Sequence, residues 1–378
     1  MDNNKVLMAM SGGVDSSVAA HLLKSEGREL IGAMMKLFTD EALGDIFEAA
    51  VGITGMNSNA DSAGSRACCT LSDADDARAV ANAMGFPFYV FNFTDTFAAE
   101  VMERFVRAYL AGKTPNPCID CNRFMKFQRF LHRATELECG YIATGHYARI
   151  APSMDMGGRF LLKTGIDPAK DQSYVLYAMT QEQLSRIRFP LGGMSKPQVR
   201  EIALREGFAA NAERRESQDI CFIPDGDYAR YIEKYTGQPP RKGRFVDTAG
   251  NDLGENRGII NYTVGQRRGL GLAMPYPAYV LEIRPEDDAV VVGRDEMLYS
   301  KTLTVRDINL IALDRLDKPI RAHVKIRYSH RGQPATVSQT GPDTLCVEFD
   351  EPQRAITNGQ AAVIYDGDIV IGGGTIDN

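Results

Sequence analysis

From Lys5 to about Gly207, short apolar runs alternate with stretches whose apolar residues recur at helical spacing. This alternation predicts a doubly wound α/β domain with a parallel sheet covered on both faces. The predicted strands are Lys5 to Met10, Leu30 to Phe38, Phe86 to Phe93 and Tyr141 to Thr144. Helices are predicted at Ser17 to Lys24, Asp73 to Met84, Thr94 to Leu110 and Asn122 to Cys139. Within the third helix Phe97, Val101, Phe105 and Tyr109 repeat every four residues before Gly112 marks a stop, so that face reads as core. Two further helices, Gln181 to Phe189 and Lys196 to Glu206, open after Thr180 and Ser195 as N-caps and close near Pro190 and Gly207; both read as structural. The segment from Asp40 to Ser65 is rich in Gly, Ala, Asn and Ser without a period, and reads as an excursion beyond the second strand.

After Gly207 the pattern changes. One helix at Asp227 to Tyr235, then Pro239-Pro240 and several glycines, predict a small middle domain. From about Met274 the runs Tyr279 to Ile283, Ala289 to Gly293, Lys301 to Ile311, Ala322 to Tyr328, Ala335 to Ser338, Leu345 to Phe349 and Gln360 to Ile364 are short, β-branched and separated by turns. They predict a C-terminal β-barrel. The expected organisation is a catalytic α/β domain over 1–207, a central domain over 208–273 and a barrel over 274–378.

A chain of 378 residues, 44% apolar and 24% charged, is long enough for two or three cores. Its apolar runs are shorter than a bilayer span, and the first predicted strand starts so close to Met1 that no signal sequence is expected; the expected location is the cytoplasm, with no membrane partner. Seven unevenly spread cysteines argue against a secreted disulfide framework and for thiol chemistry or metal binding. The net charge of -6 means that a nucleic-acid partner must be met by a local basic patch, for which Arg267-Arg268 is a candidate on charge.

The run Ala9-Met10-Ser11-Gly12-Gly13-Val14-Asp15-Ser16 links the first strand to the first helix. Two glycines let backbone amides approach an anion, and the helix N-terminus favours negative charge, so the run reads as a phosphate loop for a nucleotide. The GxxxxGK[ST] pattern of a Walker loop, whose lysine reaches the outer phosphates, is absent from the sequence. The string Ser11 to Ser16 resembles instead the pyrophosphate loop of N-type ATP pyrophosphatases. That resemblance implies cleavage between the first and second phosphates of ATP and transfer of AMP to a substrate oxygen.

Pro115 and Pro117 stiffen a loop that delivers Cys118 and Cys121 to the start of a helix, where thiol pKa values fall. A zinc half-site, a reversible dithiol and two idle thiols all remain open at this point. Structural zinc usually needs a second pair, and the other cysteines offer only adjacent Cys68 and Cys69 and isolated Cys139, Cys221 and Cys346. Cys139 and Cys346 sit in apolar contexts and read as packed thiols; Cys221 lies in a polar loop between domains, where a thiol could move.

Taken together, SGGVDS, TPNPCIDCNRFMKF, ATGHYARI, KDQSYVLY, SQDICFIPDGDY and GQRRGLG, with the closing Gly359-Gln360 and Tyr365-Asp366-Gly367-Asp368, resemble the tRNA-specific 2-thiouridylase family in order and spacing nearly end to end. The resemblance implies replacement by sulfur of the 2-oxygen of the wobble uridine in tRNAs for Lys, Glu and Gln, with ATP activating that oxygen and Mg2+ neutralising pyrophosphate. Cys221 matches the persulfide carrier, loaded by a cysteine desulfurase or a sulfur-relay protein. Cys121 matches its nucleophilic partner, and the two can close as a disulfide. Asp15 joins the catalytic set; Ala9 to Ser16, Met35 and Gly145 would hold ATP. Asn116, Pro117 and Cys118 would face the target base, while His146, Lys170, Asp171, Gln172, Arg327, Tyr328 and Gln360 would contact tRNA. Because the reacting atom lies on the base, the nucleotide must first be splayed from its stack.

Some relatives carry aspartate where this chain has Cys118, and many carry glycine where it has Asp219. The first difference opens an alternative in which Cys118, Cys121 and Cys221 hold a [4Fe-4S] cluster. Two other readings are an adenylating amidotransferase or ligase that uses ammonia, which has no need of these cysteines, and a non-catalytic RNA-binding protein whose loop senses ATP.

Overall fold

The computed structural model describes residues 2–38, 71–155, 157–208 and 220–378. The predicted excursion at 40–65, the pair Cys68 and Cys69, and Asp219 lie outside the described residues. The chain forms two compact units, one of residues 1–101, 118–226 and 368–370, the other of residues 102–117, 227–367 and 371–378.

In the first unit β1 (Asp2–Ala9), β2 (Glu29–Lys36), β3 (Phe88–Asn92), β4 (Cys139–Ala143) and β7 (Ile187–Arg188) form a parallel sheet in the order β3-β2-β1-β4-β7. Val6, Leu7 and Met8 of the central strand are buried, the continuous apolar run expected of a strand covered on both faces. One core cluster joins these strands to the helices Val14–Ser25, Leu71–Ala83 and Lys196–Arg205 through Val18, Leu23, Ala77, Val199 and Ala203. The chain leaves β1 towards β2 on one side and returns to β4 on the other. The carboxyl ends of β1 and β4 therefore flank the topological switch point, where open α/β sheets place their ligands.

Three details depart from the sequence reading. The predicted helix Gln181 to Phe189 stops at Ser185, after a capping box formed by Thr180 and Gln183, and Ile187 joins the sheet edge opposite Ile142. Pairing with β4 overrides local helical periodicity there. Between the last predicted strand and that helix lies an unanticipated antiparallel hairpin, β5 (Ala148–Ser153) and β6 (Arg159–Thr164). The stretch Thr94 to Leu110 is helical in three segments, Thr94–Phe97, Ala98–Met102 and Glu103–Leu110, the middle one π-helical. A repeat of four is longer than the roughly 3.6 residues of an α-turn, and the wider π-turn absorbs the drift. As expected, Phe97, Val101, Phe105 and Tyr109 are all buried.

The second unit holds two sheets. A small one in the order β10-β11-β8-β9 consists of β8 (Arg244–Val246), β9 (Asp252–Glu255), β10 (Tyr279–Arg284) and β11 (Ala289–Gly293). Two of the runs expected in the barrel thus belong elsewhere, because β11 pairs in parallel with β8, far back in the sequence. The other is a six-stranded antiparallel barrel in the order β12-β15-β14-β13-β16-β17. Its strands are β12 (Tyr299–Leu310), β13 (Ile320–Lys325), β14 (Gln333–Gly341), β15 (Thr344–Arg354), β16 (Ala361–Asp366) and β17 (Ile369–Ile376), closed by pairing of β12 with β17. Closure depends on small residues: a Cβ at Gly374 would lie 2.6 Å from the Arg306 carbonyl oxygen.

Candidate active site

The phosphate loop occupies the switch point. Met10 continues β1 by donating its N–H to the Ala33 carbonyl at 2.8 Å, and the first helix begins at Val14 with Gly13 as an N-cap that offers no side chain. Ser16 and Ser17 do not cap either, since both hydroxyls donate to the Gly13 carbonyl, at 2.9 and 3.0 Å. Ser11 closes the turn by donating its N–H to Ser16 Oγ at 3.3 Å. First-turn amides without a side-chain cap are the groups that a bound anion satisfies. Gly12 takes φ +71°, and a Cβ there would stand 2.6 Å from the Asp73 carbonyl oxygen. At Gly145 a Cβ would meet the Asp15 backbone at 3.0 Å, tighter than ordinary contact, so glycine eases the close approach of the β4 end to the loop. This geometry fits a nucleotide polyphosphate.

Asp15, in the first turn of that helix, is gripped from two sides. Lys196 Nζ donates to Oδ1 at 2.8 Å and to Oδ2 at 2.9 Å, and the Tyr147 hydroxyl donates to Oδ1 at 2.7 Å. Lys196 is only 7% exposed and Tyr147 is buried, whereas the Asp15 side chain keeps 32% of its surface.

Pro117–Asp120 forms one helical turn, and Cys121 opens the π-helical segment Cys121–Arg129. Cys118 is exposed and Cys121 half-buried. Asn122 anchors the segment by donating to the Val175 carbonyl at 3.0 Å. Cys221 is half-buried in a turn closed by the Ile223 N–H on the Ile220 carbonyl, beside buried Phe222, whose ring meets Phe97 edge-on at 5.8 Å. Among the described residues no three His, Cys, Asp or Glu side chains are grouped to hold a metal ion.

The remaining residues fall into three settings. Met35, near the carboxyl end of β2, is half-buried. His146 is 7% exposed, its Nδ1 2.6 Å from Thr144 Oγ1 and its ring against Phe127 and Phe189. Burial, with Lys126 beside it, holds its pKa well below the ordinary imidazole value, so it is a neutral interior side chain rather than an exposed one. Asp171 accepts from the Gly165 and Ser173 N–H groups and the Ser173 hydroxyl. Gln172 pins Tyr147, accepting its N–H at 3.0 Å and donating to its carbonyl at 3.0 Å, while Lys170 is half-buried beside them. In the second unit Arg327 and Tyr328 are exposed, and Gln360 donates to the Thr114 carbonyl at 2.8 Å. With the Thr114 N–H on the Asn358 carbonyl, that bond fixes the loop that carries Asn116 and Pro117.

Three family descriptions tile the chain: residues 4–225 match the tRNA methyl transferase HUP domain, 229–294 the tRNA methyl transferase PRC-barrel domain, and 300–376 the aminomethyltransferase beta-barrel domain. The tRNA-specific 2-thiouridylase MnmA of Clostridioides difficile is 47% identical over 99% of this chain and 98% of its own. The chain belongs to the tRNA-specific 2-thiouridylase family. The namesakes from Lachnoclostridium phytofermentans and Acetivibrio thermocellus are 48% and 47% identical, covering 98% and 100% of this chain and 99% and 100% of theirs. Among solved structures, the NMN synthetase of Francisella tularensis aligns with 63% of this chain and 78% of its own at 14% identity and a TM-score of 0.32, a likeness too slight to speak for fold or function.

Within this thiouridylase chain the sequence reading passed over Lys196 and Tyr147. Tyr147 lies inside ATGHYARI with no role of its own there, and Lys196 reads as part of a structural helix. One signal was available: a lysine at the first position of a helix opposes the macrodipole, and such a placement asks for a partner. Among the described residues no helix is long and apolar enough to cross a membrane.

Proposed function

We propose that the chain catalyses ATP-dependent 2-thiolation of the wobble uridine in tRNAs for Lys, Glu and Gln, in the cytosol, with release of AMP and pyrophosphate. One observation carries the reading: a phosphate loop without a Walker lysine shares a compact unit with Cys121, one turn into a helix, and Cys221, in a turn. An enzyme that only bound ATP, or that used ammonia, has no need for both thiols.

The 2-oxygen of uridine is a poor leaving group until it attacks the α-phosphorus of ATP and displaces pyrophosphate. The Ala9 to Ser16 loop holds the phosphates through the uncapped amides of the first helical turn, Met35 borders the adenine, and Gly145 permits close approach. Mg2+, when bound, would neutralise charge on the pyrophosphate, and Asp15 is the acidic side chain the loop itself could offer it. Next, the terminal sulfur of a Cys221 persulfide attacks C2 and AMP departs with the old C2–O electrons. The Cys121 thiolate then attacks Cys221 Sγ. The S–S bond breaks, sulfur stays on the base, and a Cys121–Cys221 disulfide remains for an external thiol to reduce. A cysteine desulfurase or a relay protein reloads Cys221. In this reading residues 1–207, with Cys221 from the segment that follows, carry the chemistry, and the rest of 208–273 and 274–378 serve the tRNA. Asn116, Pro117 and Cys118 face the splayed base, and Arg327 and Tyr328 meet the RNA at the surface. The residues around His146 and Lys170 to Gln172 support those contacts from beneath.

The test is product analysis: tRNA-dependent release of AMP and pyrophosphate is expected. ADP and phosphate as products, or no nucleotide turnover with tRNA present, would contradict adenylation.

A further inference from the structure

The phosphate loop has a charge problem that its own residues cannot solve. Residues 9–17 contain no cation, yet they include Asp15, an anion in the same first turn that must receive a polyphosphate. Lys196, remote in sequence, and Tyr147 converge on that carboxylate with three hydrogen bonds. Both are held in place. The Lys196 N–H donates to Asp167 Oδ2 at 2.9 Å, in a helix start that Ser195 and Gln198 also brace, and Gln172 grips Tyr147 by its N–H and its carbonyl. The Lys196 ammonium also stands 5.8 Å from the Tyr147 ring centroid, so the two arms pack on each other.

A buried ion pair is weak evidence for stability, because desolvation offsets most of the attraction. This one is less favourable still, since the lysine sits at the amino end of its own helix. Its effect is better placed at the loop. We infer that Lys196 and Tyr147 are positioning residues that neutralise and orient Asp15, so that the uncapped amides of the first helix face an incoming ATP without a competing negative charge. This deepens the reading of the loop as the ATP site and rests on it. It also extends the KDQSYVLY motif inward, since Asp171 shapes the turn from which Gln172 fixes Tyr147.

The experiment is ATP binding to the full chain by titration calorimetry with magnesium chelated, so that Asp15 acts only as a charge. Lys196→Met is expected to weaken ATP binding about tenfold, the order of one uncompensated charge at a helix N-terminus, while Lys196→Arg keeps most of the affinity. The decisive variant is the double one. With Asp15→Asn added to Lys196→Met the repelling charge is gone, and affinity is expected to recover to within about threefold of Asp15→Asn alone. A lysine needed only for folding gives no such rescue. Tyr147→Phe, which removes one hydroxyl, is expected to weaken binding less than Lys196→Met. The inference is overturned if Lys196→Met, folded by circular dichroism, binds ATP like the wild type, or if the double variant stays as weak as Lys196→Met. Wild-type protein that binds no ATP overturns instead the reading of the loop.

Discussion

The two units bury different kinds of residue. The first draws Ser16, Ser17, Asn122, Thr144, His146, Ser173 and Lys196 out of water, all of them in or near the loops at the switch point and the cysteine-bearing segment. The second buries only Asn256 and Gln353 among the described polar side chains, and its barrel interior is a run of Val305, Val324, Val337, Leu345, Val347 and Phe349. Burying a polar group costs free energy unless every hydrogen bond is remade, so such groups persist where orientation matters more than stability. The contrast favours the proposed division of labour, with the chemistry in the first unit and a scaffold in the barrel, where Gln360 grips Thr114.

The largest effect expected from this contrast is chemical. Cys121→Ser and Cys221→Ser should each abolish 2-thiouridine formation while leaving ATP binding intact; an ammonia-using enzyme would keep its turnover in both. Next comes the barrel core, where Leu345→Ala should cost about 2–5 kcal/mol of stability in denaturant melts and leave the affinity for ATP unchanged. A matching loss of ATP affinity would break the separation between the units. Gly12→Ala should do the reverse. It introduces a Cβ against the Asp73 carbonyl at positive φ, a strain of about 1–3 kcal/mol concentrated at the loop, and should weaken ATP binding while barrel melting stays in place.

The smallest effect is a pH dependence. His146 is neutral in the fold, whereas in the unfolded chain it takes a proton below about pH 6.5, so the unfolded state binds more protons and stability falls as pH drops through that value. The slope cannot exceed about 1.4 kcal/mol per pH unit for one group. Thermal melts between pH 5 and 7 should flatten in His146→Gln. His330 of the second unit is lowered in the same direction, chiefly by burial with Arg327 nearby, but it is less enclosed, and His330→Gln should flatten the profile less.

Much of this molecule can be read in its sequence where local chemistry decides the outcome. The phosphate loop, the positions of the first four parallel strands and the four buried positions from Phe97 to Tyr109 follow from glycine placement and apolar period. What could not be read depends on partners far along the chain. Ile187 leaves its helix for a sheet edge offered by β4, β11 leaves the expected barrel for β8, and β17 was missed because its glycines, needed for close approach to β12, look like a loop. The same holds for the site. Asp15 announced itself by motif, while the lysine and tyrosine that grip it carry no local signature beyond one unfavourable helix position.

The most direct measurement is nucleoside mass spectrometry of unmodified tRNA for Glu after anaerobic incubation with iron-free protein, ATP, magnesium, cysteine and a cysteine desulfurase. Formation of 2-thiouridine, lost in Cys221→Ser, is the expected result. Its appearance only after reconstitution with iron and sulfide would contradict transfer through thiols alone, and its absence under both conditions would contradict tRNA thiolation itself.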